Sequence, residues 1–188
     1  MLRLKATLSI LFLLCSSASV LSQKSDGPDG TILLGRHYGF ILKEPNGWVI
    51  DSAAAKPQGL AAVLYGEGSS WKSAVAVMYV RVIYKNETQA SIENVISNDV
   101  TDFLKQSRES KVSESPALAT RDKKKAIVKA FYDAANKNHE SVAFIDEPRV
   151  VVILALSSRD KDEFEKSLPA FKALVGSYFF VKELVDPH

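Results

Sequence analysis

AVAVMYVRVIY, residues 74–84, is the longest strand signal in the chain. β-Branched and aromatic side chains fill it, and apolar residues occupy both alternating sets. That pattern predicts a central strand buried on both faces. Arg81 is its single charge. VVVILAL, residues 150–156, has the same texture and is expected to lie deep in the core.

Outward from these two strands the period changes. Ile92, Val95, Ile96, Val100, Phe103 and Leu104 form the apolar stripe of an amphipathic helix over 91–106. Ser91 suits its N-cap, and Glu93 in the first turn suits the helix dipole. A second helix is expected from Asp160, with Glu163 as a capping-box partner. Phe164, Leu168, Phe171, Leu174, Val175 and Tyr178 make its stripe. Pro169 lacks an amide donor and predicts a kink there, or two abutting helices.

The remaining extended segments are short. Residues 39–43 and 48–50 flank Pro45-Asn46-Gly47, a strong turn signal, and are expected to form a hairpin. Residues 59–65 make another strand, followed by a loop over 66–71. A polar stretch over 108–115 leads to Pro116. Strands over 117–120, 126–132 and 142–145 are separated by breaks at 122–124, 136–138 and 146–148. Such spacing fits antiparallel hairpins rather than parallel crossovers. The expected class is α+β: a central antiparallel sheet with amphipathic helices packed on its faces.

The N-terminus is read separately. Arg3 and Lys5 precede an apolar run over 8–15, and small residues follow at Ser16, Ser17, Ala18 and Ser19. This is the order of a secretory signal peptide, assigned to 1–22 with a cut between Ala18 and Ser22. The run is far short of the ~20 residues needed to span a bilayer. Leu14 before Cys15 argues against lipidation of that cysteine, and cleavage would remove the chain's one cysteine. Residues 23–35 read as a flexible leader, 36–182 as a single domain and 183–188 as a tail. Losing Arg3 and Lys5 and no acid brings the 24 basic residues level with the 22 acidic ones. A formally neutral domain is no footprint of nucleic-acid binding.

Gly39, Phe40, Pro45, Gly47 and Trp48 form a GF-x-x-x-x-P-x-GW opening. With the helix over 91–106 and the closing Phe164, Leu168, Phe171 and Val175, it resembles the PsbP-like/Mog-like superfamily. That superfamily includes photosystem extrinsic subunits, a nuclear-import factor and exported bacterial proteins of unknown role. The resemblance spans most of 36–182. It implies a central antiparallel sheet with helices on both faces, commonly used as a binding scaffold. No functional residue of the photosystem or import proteins is matched, so neither role carries over.

Motifs that carry chemistry are absent. The histidines are His37, His139 and His188, and no two share a metal-ligand spacing. His139-Glu140-Ser141 cannot form a relay on a strand, because adjacent side chains point to opposite faces. The serines of Gly68-Ser69-Ser70 do not form a nucleophile elbow. Gly66-Glu67-Gly68 has no third glycine and no following helix to cradle phosphate. Lys123-Lys124-Lys125 reads as a solvated turn. Asn86-Glu87-Thr88 is a glycosylation sequon at Asn86, relevant in a eukaryotic source.

The expectation is an exported domain, periplasmic or extracellular, monomeric and non-enzymatic. It needs no cofactor or metal and binds a protein or small ligand; membrane contact would require a retained signal segment. Trp71 in its polar Gly/Ser loop, with Glu67, Arg81, His37 and His139, is the expected contact set. The alternative is a hydrolase-like site joining His37 or His139 to Asp146 or Glu147.

Overall fold

Strand β9 (Val150–Ser158) is buried along almost its whole length. A computed structural model describes residues 29–36, 38–85, 91–106 and 109–181 of the chain. The expected signal segment 1–22, His37, Asn86 and the tail 183–188 lie outside them. β9 is the middle strand of a seven-stranded antiparallel sheet. On one side follow β5 (Ala76–Tyr84), β4 (Ala62–Gly66) and β3 (Trp48–Asp51). On the other follow β8 (Asn138–Asp146), β7 (Lys125–Asp133) and β6 (Lys111–Ala119).

Alternation along β9 divides the core in two. Val150, Val152, Leu154 and Leu156 face helix α3 (Lys161–Ser177), with Phe171, Leu174 and Val175 packed on them. Val151, Ile153 and Ala155 face helix α2 (Ile92–Gln106) and its Ile92, Val95 and Ile96. The chain is therefore α+β with amphipathic helices on both faces of the sheet, as the sequence implies. Each fully buried aliphatic side chain contributes roughly 1.5–3 kcal/mol, so β9, buried on both faces, contributes to both halves of the core.

A second, three-stranded sheet joins the α3 side. Its order is β1 (Thr31–Gly35), β2 (Tyr38–Leu42), β10 (Phe179–Phe180). Leu33, Tyr38, Phe40 and Leu42 insert into the α3-side core. The leader expected over 23–35 thus ends in a strand.

The hairpin expected across Pro45-Asn46-Gly47 does not form. The chain does turn there, with Trp48 N–H on the Pro45 carbonyl at 3.0 Å and Gly47 at φ +78°. But β2 pairs with β1 and β10, whereas β3 pairs with β4. All five residues of β2 are buried, and two flanking strands satisfy its backbone. The five-residue connection lets the chain change sheets. Trp48 packs partly buried on the α3-side core, as a core anchor should.

Three further expectations change. The strand predicted over 59–65 starts at Ala62, because Asp51 caps a short helix α1 (Ser52–Ala55) by accepting from Ala54 N–H at 2.8 Å. The polar stretch over 108–115 is mostly strand β6, at the sheet edge. Pro116 sits in that strand where the register slips between Ser115 and Leu118, a place where a missing donor is tolerated. Finally, α3 runs unbroken through Pro169 rather than splitting in two, and its N-cap is Asp160, accepting from Glu163 N–H at 2.9 Å.

Candidate functional site

The sheet face beneath α2 carries polar groups at one end. Reading across the strands, Arg81 stands opposite Ile153, Tyr79 opposite Ala155, and Val77 opposite Ser157. On the next strand, Ile153 pairs with Phe144, Ala155 with Val142, and Ser157 with Glu140. Side chains on β9 shrink from Ile to Ala to Ser in that direction, so the apolar layer thins where Tyr79 and Glu140 meet. Tyr79 Oη reaches Glu140 Oε2 at 3.4 Å, a long contact. Asn138 Nδ2 donates to Glu140 Oε1 at 2.9 Å and to Ser157 Oγ at 3.0 Å.

Helix α2 supplies the opposite wall. Asp99 falls on its core-facing stripe, three residues after Ile96 and four before Phe103, and forms an ion pair with Arg81. Phe103 packs edge-on against Phe131 of β7, with centroids 5.0 Å apart and planes at 79°. Between helix and sheet remains a cavity of about 220 Å³. Tyr79, Arg81, Asp99, Asp102, Phe103 and Glu140 are the lining groups that matter chemically.

Two polar groups beside this cleft stand apart from the apolar core around them. Arg81 Nε is buried and donates to nothing, and an unmet buried donor costs about 1–3 kcal/mol. Glu140 is partly buried and has no cationic partner among the described residues. Desolvation raises its pKa above the usual carboxylate range, the charge of Asp99 adds to this, and donors from Ser157, Asn138 and Tyr79 only partly offset it. Burial, with the charge of Glu140, also pushes the Tyr79 phenol well up, so it stays protonated.

Of the expected contact residues that the structure describes, Arg81 alone lines this cleft. His139 neighbours Glu140 on β8 and so faces the α3 side, its ring 4.8 Å from Tyr132 and 5.6 Å from Phe164. Glu67 lies exposed in the β4–β5 connection, and Trp71 in the same connection is partly buried. Neither reaches the cleft. The His139 half of the hydrolase-like pairing also fails geometrically, and His37 lies outside the described residues. His139 and Asp146 are seven residues apart on one strand, about 23 Å at about 3.3 Å per residue. Glu147 is engaged by Lys124 and Tyr178 instead.

Sequence reasoning missed Tyr79, Asp99 and Glu140. Each left a trace: Asp99 interrupts an apolar helical stripe, Tyr79 shares a strand face with Arg81, and Glu140 shares one with Val142 and Phe144. Strand register brings Tyr79 and Glu140 together, and the packing of α2 on the sheet adds Asp99. Among the described residues no group of three or more His, Cys, Asp or Glu is placed to hold a metal ion. No described helix is long and apolar enough to cross a membrane.

No protein-family model and no curated protein matches the chain. Among solved structures, it is similar to the solution structure of the cyanobacterial PsbP (CyanoP) from Synechocystis sp. PCC 6803. Identity is 14% over 76% of this chain and 86% of that one, with a TM-score of 0.47. The likeness is one of architecture, and no functional residue is carried across.

Proposed function

We propose that this protein is an exported, non-enzymatic binding domain that holds a small polar ligand in the cleft between α2 and the sheet. One observation carries the reading. A cavity of about 220 Å³ between α2 and the sheet is lined by Arg81, Asp99, Asp102 and Glu140, and Glu140 is a partly buried carboxyl with no cationic partner among the described residues. A ligand carrying a cationic or hydrogen-bond-donating group would give Glu140 the charge partner it lacks. The cavity is smaller than the 300–1,000 Å³ typical of drug-sized ligands, so the ligand is a small metabolite-sized molecule.

Export follows from the order of residues 1–22 and is tested by sequencing the N-terminus of the secreted protein. Binding is tested by a thermal-shift screen of small polar compounds against the wild type and Asp102→Trp. Asp102 is exposed on α2 at the cleft mouth, so a large side chain there fills the entrance without disturbing the core. Compounds that stabilise the wild type and not the variant support the reading. Equal stabilisation of both overturns it.

A further inference from the structure

The smaller sheet has an open edge. In its order β1-β2-β10, strand β1 pairs with β2 on one side and with no described strand on the other. The hydrogen bonds across β2 fix which backbone groups of β1 are left over. Val181 N–H donates to Gly39 O at 2.9 Å, so Gly39 and Ile41 turn their backbone groups toward β10. Phe180, at the intervening position, donates to Asp122 instead. Tyr38, Phe40 and Leu42 therefore turn theirs toward β1, where Gly35, Leu33 and Thr31 stand opposite. Ile32 and Leu34 are left pointing their N–H and C=O groups away from β2. Their side chains are also exposed, at 54% and 66%.

This edge opens on a groove. Ile32, Leu33 and Leu34 line a cavity of about 360 Å³ together with Ser52, Lys56 and Leu60. Consecutive strand residues point to opposite faces, so a cavity touching all three runs along the strand's edge. Its other wall is α1 and the turn Lys56–Gln58 that follows. Lys56 is the one charged residue lining the groove, and it makes no ion pair with any described residue.

Edge strands are normally guarded against pairing. β6, at an edge of the larger sheet, carries Lys111, Glu114, Pro116 and a register slip. β1 (TILLG) has no charge, no proline and no bulge.

We propose that β1 is a docking edge for one extended segment of a partner protein, apolar along its length and bearing a carboxylate for Lys56. The segment would add a strand, exchange backbone hydrogen bonds with Ile32 and Leu34 and cover their side chains. The wall formed by α1 and its turn bounds the groove, which admits one added strand rather than the continuing sheet of a second copy. None of the groove residues belongs to the α2 cleft, so the two sites are tested independently.

The test is amide hydrogen exchange and chemical-shift titration on the isotope-labelled protein at neutral pH. In the free protein the Leu33 amide should exchange slowly, and those of Ile32 and Leu34 fast. The probes are blocked peptides: VTVTVTV, its versions with one threonine replaced by glutamate, and the same set with lysine. At least one glutamate peptide should bind saturably and slow exchange at Ile32 and Leu34. It should bind about two- to fivefold more tightly than the parent, the range for a partly exposed ion pair. Lys56→Glu should move the preference to the lysine set. Leu34→Pro removes an outward N–H and no bond to β2, a substitution an edge strand tolerates. It should weaken the best peptide by about tenfold or more while the Leu33 amide stays protected, which shows that the sheet is intact.

Fast exchange at Ile32 and Leu34 that no glutamate peptide slows would overturn the proposal. A wild-type preference for the lysine set would overturn the partner's charge. Slow exchange at both amides in the free protein would overturn the partner itself: loss of protection on dilution would assign the groove to a second copy, and protection at every dilution to this chain's own ends.

Discussion

Tyr178, just past the end of α3, donates its hydroxyl hydrogen to Glu147 Oε1 across 3.0 Å inside the protein. The other carboxylate oxygen of Glu147 pairs with Lys124, whose ammonium stands 5.4 Å above the Phe180 ring. Three connections distant in sequence are thereby tied: the β6–β7 turn, the β8–β9 turn and the end of α3. The Glu147 side chain is wholly buried, which raises its pKa by desolvation, although Lys124 and Tyr178 counter part of that rise.

Removing the cation while leaving the carboxyl should be strongly destabilising. Lys124→Met is expected to cost about 1–3 kcal/mol at neutral pH, less than a fully buried pair because the Lys124 side chain is 38% exposed. A carboxyl whose folded pKa exceeds its unfolded value binds an extra proton when folded. Its stabilising contribution is therefore lost as pH rises from the unfolded value through the folded one. The Lys124→Met deficit should accordingly shrink toward acid pH, where Glu147 is neutral. Urea denaturation of both proteins from pH 4 to 7 reads this; a deficit that stays constant would contradict it.

The same sign applies to Glu140, whose pKa burial also raises. In the empty protein it should erode stability as pH climbs above the ordinary carboxylate range. Glu140→Gln should flatten that part of the curve, leaving only the dependence due to other groups such as Glu147. Urea midpoints across the same interval compare the two slopes. Parallel curves would mean that Glu140 is not desolvated.

Arg81 and Asp99 are only partly shielded, with 38% and 25% of their side chains exposed. Their mutual attraction is therefore modest. A double Arg81→Met/Asp99→Leu substitution should fold with stability within about 1 kcal/mol of the wild type while losing ligand binding. Arg81→Met alone should be the less stable protein, since Asp99 then loses its partner. Chemical denaturation of the single and double variants separates the two roles.

The core supplies the sharper contrast. Leu154 on β9 is fully buried, and Leu154→Ala should cost about 3 kcal/mol through lost burial and a cavity. Pro169 is exposed within α3. Pro169→Ala restores an amide donor and should stabilise the protein by about 1–2 kcal/mol. Opposite shifts of the thermal midpoint are the expected readout.

Which parts of this structure were legible in the sequence follows from burial. β5, β9, α2 and α3 each carry enough apolar side chains at one period to announce themselves. β6 does not, because an edge strand open to water on much of its surface has no need of an apolar set and can hold Pro116 at a bulge. The turn at Pro45-Asn46-Gly47 was visible, but turn chemistry is local and does not state which sheet receives the next strand. In the cleft, Arg81 was legible as a lone charge in an apolar strand. Asp99 drew no notice inside the helix pattern, and Glu140 read as the neighbour of a histidine. Their meeting depends on the register of β5, β9 and β8 and on how α2 packs across it, which no local pattern encodes.

The most direct measurement is amide chemical-shift mapping on the isotope-labelled domain, titrated with the compound that gives the largest thermal shift. The account predicts perturbations centred on Tyr79, Arg81, Asp99, Phe103 and Glu140, and saturable. Shifts gathered instead around His139 and Phe164 on the α3 side, or on the β1 edge near Ile32 and Leu34, would contradict it.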